Sequence, residues 1–194
     1  DPVREVGQTN FHLAYHGRNG RELQVKMAQL YERACPSLLY AAPHCLGRPQ
    51  PGVTGKIKIG FASQYFRNHS IGKMARGLLA NLSRDRFFVC AIFVPPVGRD
   101  DTATCIQQHA DRVLFLPNNL QAARERIAAV ELDVLVYQDI GMEPVTYFLA
   151  FSRLAPVQCV HFGHPVTTGI RNLDYFLSSE RFEPENGADH YSER

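Results

Sequence analysis

The sequence predicts an α/β fold: a doubly wound, mostly parallel sheet preceded by a helical segment. Three observations carry this. From Lys56 onward, short β-branched or aromatic runs alternate with amphipathic stretches of about a dozen residues, the pattern of βαβ units with helices on both faces of a sheet. Three of those runs empty directly into polar, glycine-bearing loops, which is how open α/β sheets present ligand sites outside the carboxyl ends of their strands. The totals are globular, with 194 residues, 45% hydrophobic and 21% charged, which suits one domain with at most a small appendage.

The first helix is expected over residues 20–35, where Leu23, Met27, Leu30 and Tyr31 form one apolar stripe and Pro36 stops the run. Residues 40–55 hold Pro43, Pro49, Pro51 and three glycines, a linker composition. Residues 1–50 therefore read as a helical prelude and linker, and 51–194 as a Rossmann-like domain. Within it, strands are expected at 57–63, 87–94, 112–116, 133–137, 157–162 and 173–178. Helices fall between them. One spans 70–82, with Ser70 as its cap and Ile71, Met74, Leu78 and Leu79 inward. Another spans 102–110, opened by Asp100 or Asp101, and a third 119–130, capped by Asn119 and rich in Ala, Arg and Glu. The last covers 143–154.

Composition also excludes function classes. A net charge of +2 without a Lys/Arg cluster argues against nucleic acid, and no apolar run reaches the roughly 18 residues of a spanning helix. No leader-like pattern opens the chain, which begins at Asp1 rather than Met and so reads as an excised or processed piece. Five cysteines without a C-x-x-C pair fit a reduced, cytoplasmic setting, and none has zinc-ligand spacing. After the first strand comes Ala62-Ser63-Gln64-Tyr65-Phe66-Arg67 rather than G-x-G-x-x-G, and no G-x-x-x-x-G-K-[ST] occurs. NAD-type and P-loop chemistry are both disfavoured.

The chemistry-bearing candidates lie in three loops. In residues 64–70, His69 directly precedes a helix, whose dipole favours the neutral imidazole and hence a base. Asn68 is placed to orient a ligand hydroxyl; the plainer alternative is that His69 only caps the helix. In residues 138–142, Asp139 is suited to bind a hydroxyl or orient a histidine, and Gly141 lets backbone approach a ligand. The alternative is that Asp139 caps the following helix. In residues 161–169, His161 reads as a satisfied core histidine. His164 lies beyond the strand next to Pro165, while Thr167, Thr168 and Gly169 offer hydroxyls and bare backbone to a sugar or phosphate. No Ser-His-Asp order, G-x-S-x-G elbow or H-E-x-x-H pair is present. A lone histidine among hydroxyl-reading loops fits transfer to an alcohol better than hydrolysis through a covalent enzyme.

Several runs resemble a known family. Residues 58–70 (KIGFASQYFRNHS), 133–141 (DVLVYQDIG), 164–169 (HPVTTG), 173–180 (LDYFLSSE) and 188–193 (ADHYSE), with the leading 10–17 (NFHLAYHG), are similar to the catalytic region of bacterial O-linked N-acetylglucosaminyltransferases and SPINDLY-type proteins. The resemblance implies the N-terminal half of a GT-B enzyme, with the sugar nucleotide held by a C-terminal catalytic domain absent from this chain and tetratricopeptide repeats upstream. It implies inverting transfer of N-acetylglucosamine from UDP-GlcNAc to Ser or Thr of cytoplasmic proteins, with no metal or other cofactor and no membrane partner. A piece cut off in this way is expected to be inactive alone. His69 matches the family's histidine in its Asn-His element; His164, Pro165, Thr167, Thr168 and Gly169 match the loop bordering sugar and acceptor; His16 and Gly17 match a pair that reaches the cleft. Asp133 stands where animal enzymes carry a second histidine, whose role would pass to Asp139, and Val166 stands where glycine is common. The alternatives are another sugar nucleotide such as GDP-fucose, an Asn acceptor, or a non-catalytic peptide- or glycan-binding module.

Overall fold

The computed structural model describes residues 2–47 and 55–194. The expected boundary at 50/51, with Pro49 and Pro51, lies outside the described residues. Six strands form one sheet: β1 (Ile57–Ser63), β2 (Phe87–Phe93), β3 (Arg112–Phe115), β4 (Val134–Tyr137), β5 (Val157–His161) and β6 (Tyr175–Leu177). Their order is β3-β2-β1-β4-β5-β6, and every pairing is parallel. The chain steps outward from β1 to β3, then returns to the other side of β1 and steps outward again. Since parallel crossovers keep one hand, that reversal puts the helices of the two halves on opposite faces. The sequence expectation of a doubly wound sheet holds.

Alternation along the strands feeds two cores. Phe61, Val89, Ala91, Phe93 and Val136 pack with Ala75 and Leu79 of α3 (Ser70–Asn81) and with Ala103 and Ile106 of α4 (Asp101–Gln108). Their alternating neighbours Ala62, Cys90, Ile92, Leu135 and Tyr137 face Ile127 of α5 (Leu120–Ala128) and Phe148 and Leu149 of α6 (Pro144–Leu149). Each large apolar side chain buried in this way contributes about 1.5–3 kcal/mol. The second core also takes in the N-terminal segment through Ala28 of α2 (Arg21–Ala34), Leu38 and Ala42. The short α1 (Pro2–Glu5) precedes it.

Two helix faces differ from expectation. In α2 the buried positions are Gln24 and Ala28, the expected Met27 and Tyr31 are half-buried, and the expected Leu23 and Leu30 are exposed. The reason is close approach. A Cβ on Gly169 would stand 2.3 Å from the backbone carbon of Gln24, so α2 turns its less bulky side to that loop, while Tyr31 packs edge-on against Tyr147, Phe148 and Phe151. In α3, Leu78 is exposed and Ala75 takes the inward place. The helix expected over 143–154 stops at Leu149 because the next residues serve another partner. Arg153 N–H donates to Tyr40, and Ala42 N–H donates back to Arg153. All five cysteines are free, with Cys90 and Cys159 buried in strands. Among the described residues, no helix is long and apolar enough to cross a membrane.

Candidate functional site

Because the sheet is wholly parallel, the loops after β1, β4 and β5 emerge at one edge. The first two meet at the point where strand order reverses. There Asp139 is fully enclosed. Its Oδ2 accepts from Ser63 Oγ and from the backbone N–H of Gln64, each at 2.9 Å, while Oδ1 is buried without a protein partner. Burial first, and the nearby carboxylate of Glu143 second, hold Asp139 well above the usual carboxylate range. Burial raises Glu143 as well. Two expectations are corrected here. Asp139 has no surface with which to meet a ligand; it ties the β1 loop to the β4 loop. Nor does it cap α6, since Glu143 does so by accepting from Val145 N and Thr146 N.

His69, not Ser70, is the N-cap of α3. Its Nδ1 accepts from Ile71 N at 3.3 Å, and Tyr65 lies against it with ring centroids 4.6 Å apart. Burial, with Arg67 adding a smaller effect, lowers its pKa. A neutral imidazole whose Nδ1 accepts must carry its proton on Nε2. In this cap His69 therefore offers a donor at its free nitrogen, and to act as a base there it would have to release the helix. Asn68 beside it is exposed, its backbone N–H tied to Asp100 Oδ2 at 2.7 Å.

The β5 loop is covered. Phe11, in a short 3-10 turn at Phe11–His16, stacks on His164 with centroids 4.9 Å apart and planes at 27°. Thr9 Oγ1 donates to the carbonyl of Gly141, and the same His164 ring lies against Gly141: a Cβ there would lie 2.7 Å from His164 Cδ2. His164 is only 6% exposed, and burial lowers its pKa. The histidine expected beyond the strand as a binding residue is a packed ring. Thr167 and Thr168 are buried too, with their hydroxyls turned to the Glu193 carboxylate rather than outward. Gly169 has φ +70°, a left-handed conformation that favours glycine, and it seats the loop on α2. His161 is not the satisfied core residue expected, since its Nδ1 has no partner and the ring stacks on Phe162. Asp133 lies at the other end of the sheet, where it accepts from Lys58 N at 2.7 Å; no role at the loop edge can fall to it.

Where the N-terminal segment crosses the β5 loop it leaves a cavity of about 410 Å³. Its walls are Leu13, His16, Leu23 and Gln24 on one side, Pro165 to Thr167 on another, and His190 and Tyr191 on a third. Of the expected residues, His16, Pro165 and Thr167 line it. His164, Gly141 and Thr168 border a neighbouring gap of about 10 Å³, room for about one water. His69, Asn68 and Asp139 line neither. Sequence reasoning missed Phe11, Gln24, Glu143 and Glu193. Glu193 and Phe11 both stand in runs that carry the family resemblance, 188–193 and 10–17, but nothing local marks their contacts, because their partners at Thr167, Thr168 and His164 lie elsewhere along the chain.

Residues 23–194 match the model of glycosyl transferase family 41. A UDP-glucose:protein N-beta-glucosyltransferase from Actinobacillus pleuropneumoniae serotype 5b (strain L20) is 23% identical over 121 residues, 62% of this chain and 18% of that protein. Among solved structures, a mutant O-GlcNAc transferase from Thermobaculum terrenum superposes with a TM-score of 0.70 at 23% identity, over 88% of this chain and 32% of that one. At that identity the likeness concerns the fold. This chain thus spans about a third of the solved relative and under a fifth of the curated one.

Proposed function

The chain belongs to glycosyl transferase family 41, and from that premise we propose that it supplies one wall of a protein glycosyltransferase site, moving N-acetylglucosamine from UDP-GlcNAc to Ser or Thr hydroxyls of cytoplasmic proteins. The observation that carries the reading is the cavity at the loop edge, lined by His16, Pro165 and Thr167. Its volume falls within the roughly 300–1,000 Å³ of small-molecule sites, with an apolar wall of Leu13, Leu23 and Val166 to exclude water. In inverting transfer the acceptor oxygen bonds to the anomeric carbon as the bond to the nucleoside diphosphate breaks, through an oxocarbenium-like transition state. The hydroxyl proton passes to a base. His16 is the exposed histidine of the N-terminal wall and is the candidate for that role, while His69 serves as a hydrogen-bond donor and loop organiser. Departing diphosphate charge needs donors or cations, and the β1 loop has no glycine-rich phosphate cradle. The reading therefore assigns nucleotide binding to a C-terminal catalytic domain, and acceptor recruitment to upstream tetratricopeptide repeats. It requires no metal or other cofactor.

The curated relative's activity, protein N-glucosylation from UDP-glucose, favours a second reading in which the sugar is glucose and the acceptor Asn. GDP-fucose as donor is a further variant. The test is a transfer assay on the complete protein that carries this chain, with UDP-GlcNAc, UDP-glucose and GDP-fucose against Ser/Thr and Asn peptides. We expect transfer from UDP-GlcNAc, a fall of about 10²-fold or more in His16→Ala, and no turnover by the 194-residue chain alone. Peptide binding without transfer from any donor would reduce the chain to a non-catalytic binding module.

A further inference from the structure

Resting on that reading, we propose that Glu193 is a positioning residue. Its buried carboxylate fixes the Thr167–Thr168 turn as one wall of the cavity and so sets the shape in which substrate is received. The geometry is close to saturated. Glu193 Oε2 accepts from Thr167 Oγ1 at 2.7 Å and from Ser192 Oγ at 3.1 Å. Oε1 accepts from the backbone N–H of Thr168 at 2.9 Å and from Thr168 Oγ1. Ser192 N–H closes the ring by donating to Thr167 Oγ1 at 2.9 Å. The Thr167 hydroxyl proton is therefore committed to Glu193 and is not offered to a ligand.

Glu193 is 7% exposed, and no described Lys or Arg forms an ion pair with it. A buried anion without a cation is costly, and an apolar residue of similar size would hold two segments together at less cost. What the carboxylate adds is direction, since four donors from two successive loop positions and the neighbouring Ser192 must converge on two oxygens. The segment it belongs to is itself a wall, since His190 and Tyr191 line the cavity opposite Pro165 and Val166. Gly169, seated on α2, anchors the far end of the same turn. The loop is held at both ends, and the stretch between them faces the ligand space.

The test compares Glu193→Gln and Glu193→Ala in the complete protein, together with Thr167→Val and the double variant Thr167→Val/Glu193→Gln. Glu193→Gln keeps one acceptor oxygen for Thr168 but loses part of the set. It should raise KM for the sugar nucleotide or the acceptor peptide by about tenfold, as loss of a charged hydrogen bond predicts, with kcat changed less than about twofold. Glu193→Ala should raise KM further, and the double variant should be no worse than the poorer single one, because both changes release the same turn. A fall in kcat at unchanged KM would mean only fewer folded molecules and would overturn the proposal, as would additive effects. Should Glu193→Ala fail to fold, Glu193→Gln and the double variant still decide. Hydrogen exchange separates this from the functional reading. In the present chain, Thr168 N–H should be protected and should lose protection by about tenfold or more in Glu193→Gln while β1 and β4 amides keep theirs. Equal protection of Thr168 in both would refute the clamp whatever the enzyme does; intact clamping in a complete protein that transfers no sugar would count against the function alone.

Discussion

Two loop clusters share the carboxyl edge of this sheet, and they are built alike yet end differently. Around β1 and β4, Asp139 gathers Ser63 Oγ and Gln64 N–H; around β5, Glu193 gathers Thr167 and Thr168. Each is a buried acidic side chain organising a loop through its hydrogen bonds. On the first side the segment reaches only Gly141, through Thr9, and His69 stays half-buried at a helix end. On the second, residues 9–24 are laid across the loop, His164 is packed beneath Phe11, and a cavity forms. The difference teaches that strand ends alone do not make a ligand space here. The overlying N-terminal segment does.

The comparison breaks most violently at Gly169. Ala at this position combines a left-handed φ with backbone atoms of α2 at 2.3–2.5 Å, so Gly169→Ala should cost about 3 kcal/mol or more, read as a lower urea midpoint. A smaller loss would mean that α2 is seated less tightly than the contact implies. Next comes Phe11→Ala, which should cost about 2 kcal/mol and uncover one histidine but not the other. Burial lowers the pKa of His164, so NMR titration should find its value moving up toward 6.5 in the variant while that of His69 stays in place. Movement of both would erase the distinction between the two clusters.

The smallest expected effect concerns pH. Burial raises Asp139 and Glu143 in the folded state, so their stabilising contribution is complete below the ordinary carboxylate value and is lost as pH climbs through the raised one. His69, His161 and His164 are lowered; theirs is complete above 6.5 and lost on acidification. Between about pH 6.5 and 8, below the range where the buried thiols begin to contribute, the carboxylates dominate the change and wild-type stability should decline. Asp139→Asn, which retains an acceptor for Ser63 and Gln64, should flatten that decline in thermal unfolding by about 1 kcal/mol. An unchanged slope would mean that Asp139 is ionised throughout.

Much of the framework was readable because it is set by local periodicity. The β-branched runs, the Asn119 and Asp100 caps and the alternation of element types each show within a dozen residues. The errors came where a partner far along the chain decides. In α2, Leu23 and Leu30 yield the inward place to Gln24 and Ala28, where Gly169 comes close to the helix backbone. The 143–154 run ends early because Tyr40 and Ala42 claim Arg153. At the site, Pro165 and Thr167 were visible as residue types in a polar loop, while His16 came only from the family resemblance of residues 10–17. That Asp139 would be enclosed and the threonine hydroxyls spoken for depends on Ser63 and Glu193, and no spacing rule encodes those contacts.

The hydrogen bond from Thr9 to Gly141 joins positions 132 residues apart, and the cavity beside it is assembled from comparably remote stretches. Contacts of such long range form late, after loop-closure entropy has been met. During synthesis the sheet can be laid down strand by strand, but the ligand chamber must wait for its last wall at His190 and Tyr191. An excised Rossmann piece beginning near residue 51 would therefore keep its strands and have no chamber at all.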